Sequence, residues 1–171
     1  MFSGKTTRLI EYYRSRQYIG KSVAVINYAE DQRYSKLQLS THDYVMIPCI
    51  QSLDMSSIMQ LPEVQNADTV LINEGQFFND LYDNVLHFVE NQKKEVIICG
   101  LNGDFKRGVF GDLLRLIPFC DTVEKLSALC ASCKDGTPGI FSHRLSKNKE
   151  QCVIGSNEYI PVCRDCYLTF L

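Results

Sequence analysis

Three short stretches of this sequence carry residues able to do chemistry. The first opens the chain as Met1-Phe2-Ser3-Gly4-Lys5-Thr6-Thr7. Gly4-Lys5-Thr6 is the second half of the phosphate-loop pattern G-x-x-x-x-G-K-[ST]. In such a loop, backbone N–H groups curl around an anion and the next helix points its positive end at it. Glycine lets backbone approach phosphate closely. Lys5 would neutralise β- and γ-phosphates, and the Thr6 hydroxyl suits magnesium. The second stretch is the cysteine pair Cys130-x-x-Cys133 with its counterpart Cys163-x-x-Cys166. Four soft thiolates can close a tetrahedral zinc site with no open position, which makes it structural rather than catalytic. The metal would pin both ends of the 29-residue segment 134–162 and limit the entropy of that long loop. The third stretch is Asn73-Glu74-Gly75-Gln76, directly after the apolar run Thr69-Val70-Leu71-Ile72. It places an amide and an acid at the carboxyl end of a strand, where sites gather in open α/β sheets.

These stretches need a scaffold, and the intervening sequence supplies one. Thr6–Tyr18 has helical spacing, with Leu9, Ile10 and Tyr13 on one face and Gly20 as a stop. Ser22–Tyr28, Tyr44–Cys49, Thr69–Ile72 and Glu95–Leu101 read as short apolar strands. Asp54–Leu61 reads as a short helix capped by Ser52 or Asp54. Asn79–Gln92 reads as a helix with Leu81, Val85, Phe88 and Val89 inward. Alternation of this kind predicts βαβ units and a mainly parallel sheet with helices on its faces. Residues 30–43 form a polar loop. Asn102–Gly111 is glycine-rich, and its Phe105 and Phe110 could wall a flat heterocycle. Composition shifts near Cys130. The expected organisation is therefore a nucleotide-binding domain over 1–125 and a small zinc-binding domain over 126–171.

Composition narrows the class further. The chain has 171 residues, 45% of them hydrophobic, enough for a real core. A net charge of −2 and pI ≈ 5.9 give no basic footprint for nucleic acid. No apolar run reaches membrane-spanning length and no signal-peptide pattern opens the chain, so an intracellular, cytoplasmic protein is expected. Paired CxxC spacing in that setting reads as zinc rather than disulfide. Cys49, Cys99, Cys120 and Cys152 sit among apolar or strand-like residues and read as small buried hydrophobes. The first glycine of the phosphate-loop pattern would fall two residues before Met1, and a central strand normally feeds that loop. The expectation is that Met1 is not the natural start and that an apolar strand with Gly-Pro-like residues precedes it.

Taken together and in order, these residues carry a resemblance. Met1–Thr6, Tyr34-Ser35 with Ser40-Thr41-His42-Asp43, Glu74-Gly75-Gln76-Phe77-Phe78, Phe105-Lys106-Arg107 through Phe110-Gly111, the paired CxxC and Val162-Cys163-Arg164-Asp165-Cys166-Tyr167 resemble the type II thymidine kinases of animals, bacteria and large DNA viruses. The likeness covers essentially the whole chain. It implies a P-loop, RecA-like α/β domain with a small zinc-and-lasso domain, transfer of the ATP γ-phosphate to the 5′-hydroxyl of thymidine, and a homotetramer.

By position, the resemblance makes Glu74 the general base. It gives ATP to Met1, Phe2, Ser3, Gly4, Lys5, Thr6, Asp31, Gln32, Arg33, Asn73, Glu74, Gly75 and Gln76. Magnesium falls to Thr6 and, through water, to Asn73. Thymidine falls to Met1, Leu101, Phe105, Phe110, Gln151, Cys152, Val153, Ile154, Gly155 and Tyr159, where lasso backbone meets the base edge. Three positions depart from the family. Asn73 stands for the usual Asp, Asn102-Gly103-Asp104 for Asp-Gly-Thr, and Gly155-Ser156 for a double glycine. An amide at 73 loses a charge, and charged hydrogen bonds are worth about 1.5–3 kcal/mol against about 1 for neutral ones. Two other readings share part of the pattern. A catalytically degenerate thymidine kinase paralogue would keep fold and zinc without turnover. A zinc-ribbon nucleic-acid-binding module would need a basic stripe with stacking aromatics, and the acidic pI opposes it.

Overall fold

The structure, a computed structural model, describes residues 2–29, 38–40, 45–153 and 158–170. They pack as two compact units. One holds the described residues of 6–102 and 110–120; the other holds the described residues of 1–5, 103–109 and 121–171. The expected boundary at 125/126 cuts the chain in sequence order, whereas packing groups Gly103–Val109 with the cysteines.

The sheet unit follows from two apolar runs. Its elements are α1 (Lys5–Tyr18), β1 (Val23–Tyr28), β2 (Gln38–Ser40), β3 (Met46–Pro48), β4 (Ile50–Ser52), α2 (Pro62–Gln65), β5 (Thr69–Asn73), α3 (Leu81–Leu86) and β6 (Glu95–Ile98). β4-β1-β5-β6 form a parallel four-stranded sheet. β1 and β5 are buried almost throughout, which a parallel sheet covered on both faces requires of its central strands. Alternation then divides the core. Ala24, Ile26, Val70 and Ile72 pack with Met55, Phe78, Leu81 and Phe88 on one face. Val25 and Leu71 pack with Leu9 and Ile10 of α1 and with Leu39 and Ile47 on the other.

Local chemistry sets the ends of these elements. α1 stops at Gly20, whose φ of +78 suits glycine, with Lys21 N donating to Arg16 O at 3.0 Å and Gly20 N to Gln17 O at 2.9 Å. The stretch expected as a helix over Asp54–Leu61 contracts to a single 3-10 turn, Ser56–Ile58. Asp54 does cap it, accepting from Ser57 N at 2.7 Å, but Met55 N and Ser56 N donate to Asp80, distant in sequence. Burial raises the Asp80 carboxyl, yet the Met55 and Ser56 donors outweigh it and hold the group below the ordinary aspartate range. α3 widens into a π turn over His87–Asn91. That turn keeps Phe88 fully buried and leaves Val89, expected inward, 38% exposed. β4 was not anticipated as a separate strand, because three residues next to Pro48 carry no periodicity.

The cysteine unit has little apolar interior. It contains β7 (Ala128–Leu129), β8 (Pro138–Gly139), β9 (Phe141–Arg144), β10 (Tyr159–Val162) and α4 (Arg164–Thr169). β7 pairs with β8 and β9 with β10, both antiparallel, with Arg144 opposite Tyr159. Its buried cluster is Cys130, Val162, Cys163 and Tyr167, flanked by Phe141, Ile160 and Cys166. Among the described residues no helix is long and apolar enough to cross a membrane.

Candidate active site and metal centre

At the carboxyl end of the sheet, β5 ends on Asn73 and the chain turns at Glu74 with φ 54 and ψ 43. A non-glycine residue in this left-handed region costs about 1–3 kcal/mol and persists only where its surroundings fix it. They do so here. Gly75 N donates to Cys99 O at 3.0 Å and Phe77 N to Glu74 O at 3.1 Å. The buried Gln76 donates from Nε2 to Glu74 Oε2 at 2.7 Å and accepts Leu101 N on Oε1 at 2.9 Å. Glycines make room for this arrangement. A Cβ at Gly75 would meet Ile98 Cγ2 at 2.7 Å, and one at Gly100 would meet Gln76 Oε1 at 2.6 Å. Gly111, at φ +60, lies so close to the Gln76 carbonyl that a Cβ there would overlap it. Phe110 meets Phe77 edge-on at 5.3 Å.

Asn73 is only 1% exposed, and both ends of its amide are engaged. Nδ2 donates to Asn27 Oδ1 at 2.7 Å, and Oδ1 accepts the Cys99 thiol at 3.0 Å. The chain continues as Asn27 Nδ2 to Gln51 Oε1 at 3.1 Å and Gln51 Nε2 to Cys49 Sγ at 3.4 Å. A neutral amide ladder thus crosses the strand ends in register, Asn27 opposite both Asn73 and Gln51. Burial pushes the Cys49 thiol up to about 11, against the Gln51 hydrogen bond, so it stays protonated. Cys49 and Cys99 are half-buried as small core residues, whereas Cys120 and Cys152, expected to be buried, are exposed. Cys120 instead donates its thiol to Ile117 O at 3.0 Å.

The phosphate-loop residues run into α1. Phe2 has φ 54 and Gly4 φ 79, and nothing lies within 4 Å of a Cβ placed on Gly4. Lys5 and Thr6, both half-buried, form the first turn of α1. Met1, Asp31, Gln32, Arg33, Ile154 and Gly155, all named from the sequence, lie outside the described residues.

The metal centre is built by two knuckles. The Sγ atoms of Cys130, Cys133, Cys163 and Cys166 all lie within 4.8 Å of one another, with Cys133 3.6 Å from Cys163 and 3.4 Å from Cys166. A tetrahedron with Zn–S of about 2.3 Å has S···S edges of about 3.8 Å, so the four thiols fit a zinc ion. Backbone N–H groups point at two of the sulfurs. Cys133 N points at Cys130 Sγ at 3.4 Å and Cys163 N at the same sulfur at 3.2 Å, and Cys166 N points at Cys163 Sγ at 3.5 Å. The Cys133 N–H leads in lowering the Cys130 thiol to about 6, while thiol contacts with Cys166 and then Cys163 drive the Cys133 thiol upward.

Beside the knuckles, the same unit gathers Phe105, Gln151, Val153 and Tyr159. Asp104 shapes the turn that carries Phe105. Its Oδ1 accepts Lys106 N and Gly108 N, both at 2.8 Å, and its Oδ2 accepts Gln151 Nε2 at 2.9 Å. Tyr167 OH donates to Phe105 O at 2.7 Å, tying the turn to α4, the helix that starts within the second knuckle. Val153 N donates to Tyr159 OH at 3.3 Å. Sequence reasoning missed Asp104 as a turn former and missed Arg144 altogether. Arg144 is a lone arginine at the end of the short strand β9, and only its place opposite Tyr159 marks it.

Comparison with known proteins agrees with this arrangement. A family model described as thymidine kinase matches residues 1–167. The chain is 37% identical to "Thymidine kinase a" of Arabidopsis thaliana, over 99% of this chain and 72% of that protein. It is 38% identical to "Thymidine kinase, cytosolic" of Bos taurus, over 98% of this chain and 68% of that protein. Against "Thymidine kinase" of Yaba monkey tumor virus (strain VR587) the identity is 39%, over 98% of this chain and 90% of that protein. A match that runs through the phosphate loop, the Glu74 turn and both cysteine knuckles means that the chain belongs to the thymidine kinase family.

Proposed function

We propose that the protein transfers the γ-phosphate of ATP to the 5′-hydroxyl of thymidine, giving dTMP and ADP for nucleotide salvage in the cytoplasm, and that it assembles as a homotetramer. The observation that carries this reading is the Glu74 turn within a family match spanning residues 1–167. A carboxylate fixed at a strand end, half-buried and hydrogen-bonded on one oxygen by Gln76, suits a general base for a hydroxyl proton. Lys5 and the loop amides would steady charge on the transferred phosphoryl group.

Magnesium, when bound, would neutralise phosphate charge. Thr6 on the first turn of α1 offers a hard oxygen for it. Asn73 would face the ion through water, its amide being engaged by Asn27 and by the Cys99 thiol. Asn73→Asp adds charge next to Asn27 Oδ1 unless that amide turns round. The expected result is a lower magnesium requirement, read from turnover against magnesium concentration; an unchanged curve removes residue 73 from the metal's surroundings. Zinc held by Cys130, Cys133, Cys163 and Cys166 would be structural, with Phe105, Gln151–Gly155 and Tyr159 receiving the nucleoside.

The direct test is product analysis. Purified protein given radiolabelled ATP, magnesium and thymidine should form labelled dTMP. If ATP is consumed only by hydrolysis, or not at all, the proposal fails.

A further inference from the structure

Arg144 is 5% exposed, and no carboxylate pairs with it among the described residues. An arginine this deep normally needs an acid, because burying an unpaired charge is costly. Here carbonyls and aromatic faces replace one. Nη1 donates to Asn148 O at 3.0 Å and to Glu150 O, and Nη2 donates to Gln151 O at 3.0 Å and to Tyr159 OH. The guanidinium carbon stands 3.7 Å from the centre of the Phe105 ring and 5.0 Å from that of Tyr159. Nε is buried without a partner.

Three segments therefore meet on one side chain: the turn carrying Phe105, the loop 148–151 and strand β10 at Tyr159. The Tyr159 hydroxyl that accepts Arg144 also accepts Val153 N, so the arginine's influence extends to the next lasso residue. Planarity matters to this arrangement. A guanidinium can stack on a ring with its face while its edge donates to several oxygens. An ammonium offers neither the flat face nor the fork.

We propose that Arg144 is the positioning residue of the nucleoside end of the site, setting the Phe105 ring and the 148–153 backbone in the geometry that receives a pyrimidine nucleoside. It acts through those groups rather than by touching substrate. The inference rests on the proposed thymidine kinase activity for its ligand, and on the packing around Arg144 for its mechanism.

Kinetics and amide hydrogen exchange on Arg144→Met and Arg144→Lys test it, with zinc content measured as a control on the knuckles. Misplacing binding groups by about 1 Å can cost on the order of 10²-fold. Arg144→Met should therefore lower kcat/KM for thymidine roughly 10- to 100-fold, mainly through KM, with KM for ATP within about twofold of wild type. Arg144→Lys should recover only a small part of that loss. Amides of 148–153 should exchange faster in both variants without substrate. An unchanged KM for thymidine, or KM values for thymidine and ATP rising together, overturns the proposal; so does full rescue by lysine or unchanged exchange. Should Arg144→Met fail to fold, the lysine variant alone decides by the same readings. A wild-type protein that does not phosphorylate thymidine overturns the proposed function instead, and exchange at 148–153 still tests the positioning role.

Discussion

The two units of this protein are held together by different physics. In the sheet unit, strands β1 and β5 are buried on both faces, and large side chains such as Phe78, Phe88 and Leu71 are fully enclosed. Its polar residues at the strand ends are neutral amides that satisfy one another. In the cysteine unit the buried cluster is small, and two of its four buried members are candidate metal ligands. A buried guanidinium organises the rest. The sheet unit rests on the hydrophobic effect, whereas the cysteine unit rests on a small buried cluster, an arginine and a four-thiol group that could hold a cation. This division also separates roles, with the acid proposed for phosphoryl transfer in the first unit and the residues proposed for the nucleoside mostly in the second.

Metal removal should separate the two units most sharply. Structural zinc in small domains contributes about 10–16 kcal/mol of apparent binding free energy near neutral pH. Stripping zinc with a strong chelator should abolish amide protection across 128–170 while leaving β1 and β5 protected. Equal loss in both units, or none, contradicts the assignment of distinct forces, as would much less than one zinc per chain by elemental analysis. The reverse perturbation comes next in size. Phe88→Ala empties a fully buried site and should cost about 3–5 kcal/mol. At about 2–4 °C per kcal/mol this is a readily measured fall in Tm. A fall below about 1 kcal/mol would show that the core relaxes around the π turn.

The smallest expected effect is electrostatic. Glu95 accepts Arg16 Nε at 2.7 Å and Thr69 Oγ1 at 2.9 Å. The Arg16 hydrogen bond is the main cause holding its carboxyl below the ordinary glutamate range, against some burial. The sign follows from linkage. A carboxyl lowered in the folded state adds stability that is present above its unfolded pKa, about 4.3, and is lost as pH falls through the folded value. Because the pair is partly solvated, Glu95→Gln should cost about 1 kcal/mol or less at pH 7. It should also flatten part of the acid limb of stability against pH; an unaltered limb assigns that dependence to other carboxyls such as Asp80.

The sheet unit was largely legible in the sequence because apolar period and strand length report burial directly. Thr69–Ile72 and the face of α1 needed nothing more. β4 was illegible because three residues hold no period, and Val89 was misplaced because a π turn leaves no signature in apolar spacing. The long-range cap by Asp80 depends on tertiary contact that local propensity does not encode. In the cysteine unit, CxxC spacing marked the candidate metal ligands because tetrahedral thiolate coordination favours that spacing. Arg144 went unread because its partners are backbone carbonyls and ring faces, which any sequence supplies. The Gln76 hydrogen bond to Glu74 was likewise invisible, although the glycines at 75, 100 and 111 are its trace.

In the proposed function Glu74 performs the transfer chemistry while other residues hold the nucleoside. Thymidine titration calorimetry on Glu74→Gln, paired with its turnover, tests this most directly. General bases contribute about 10²–10⁴-fold. Glu74→Gln should lose kcat by at least that order, with thymidine Kd within about threefold of wild type. Retained turnover, or Kd lost in step with kcat, would contradict it.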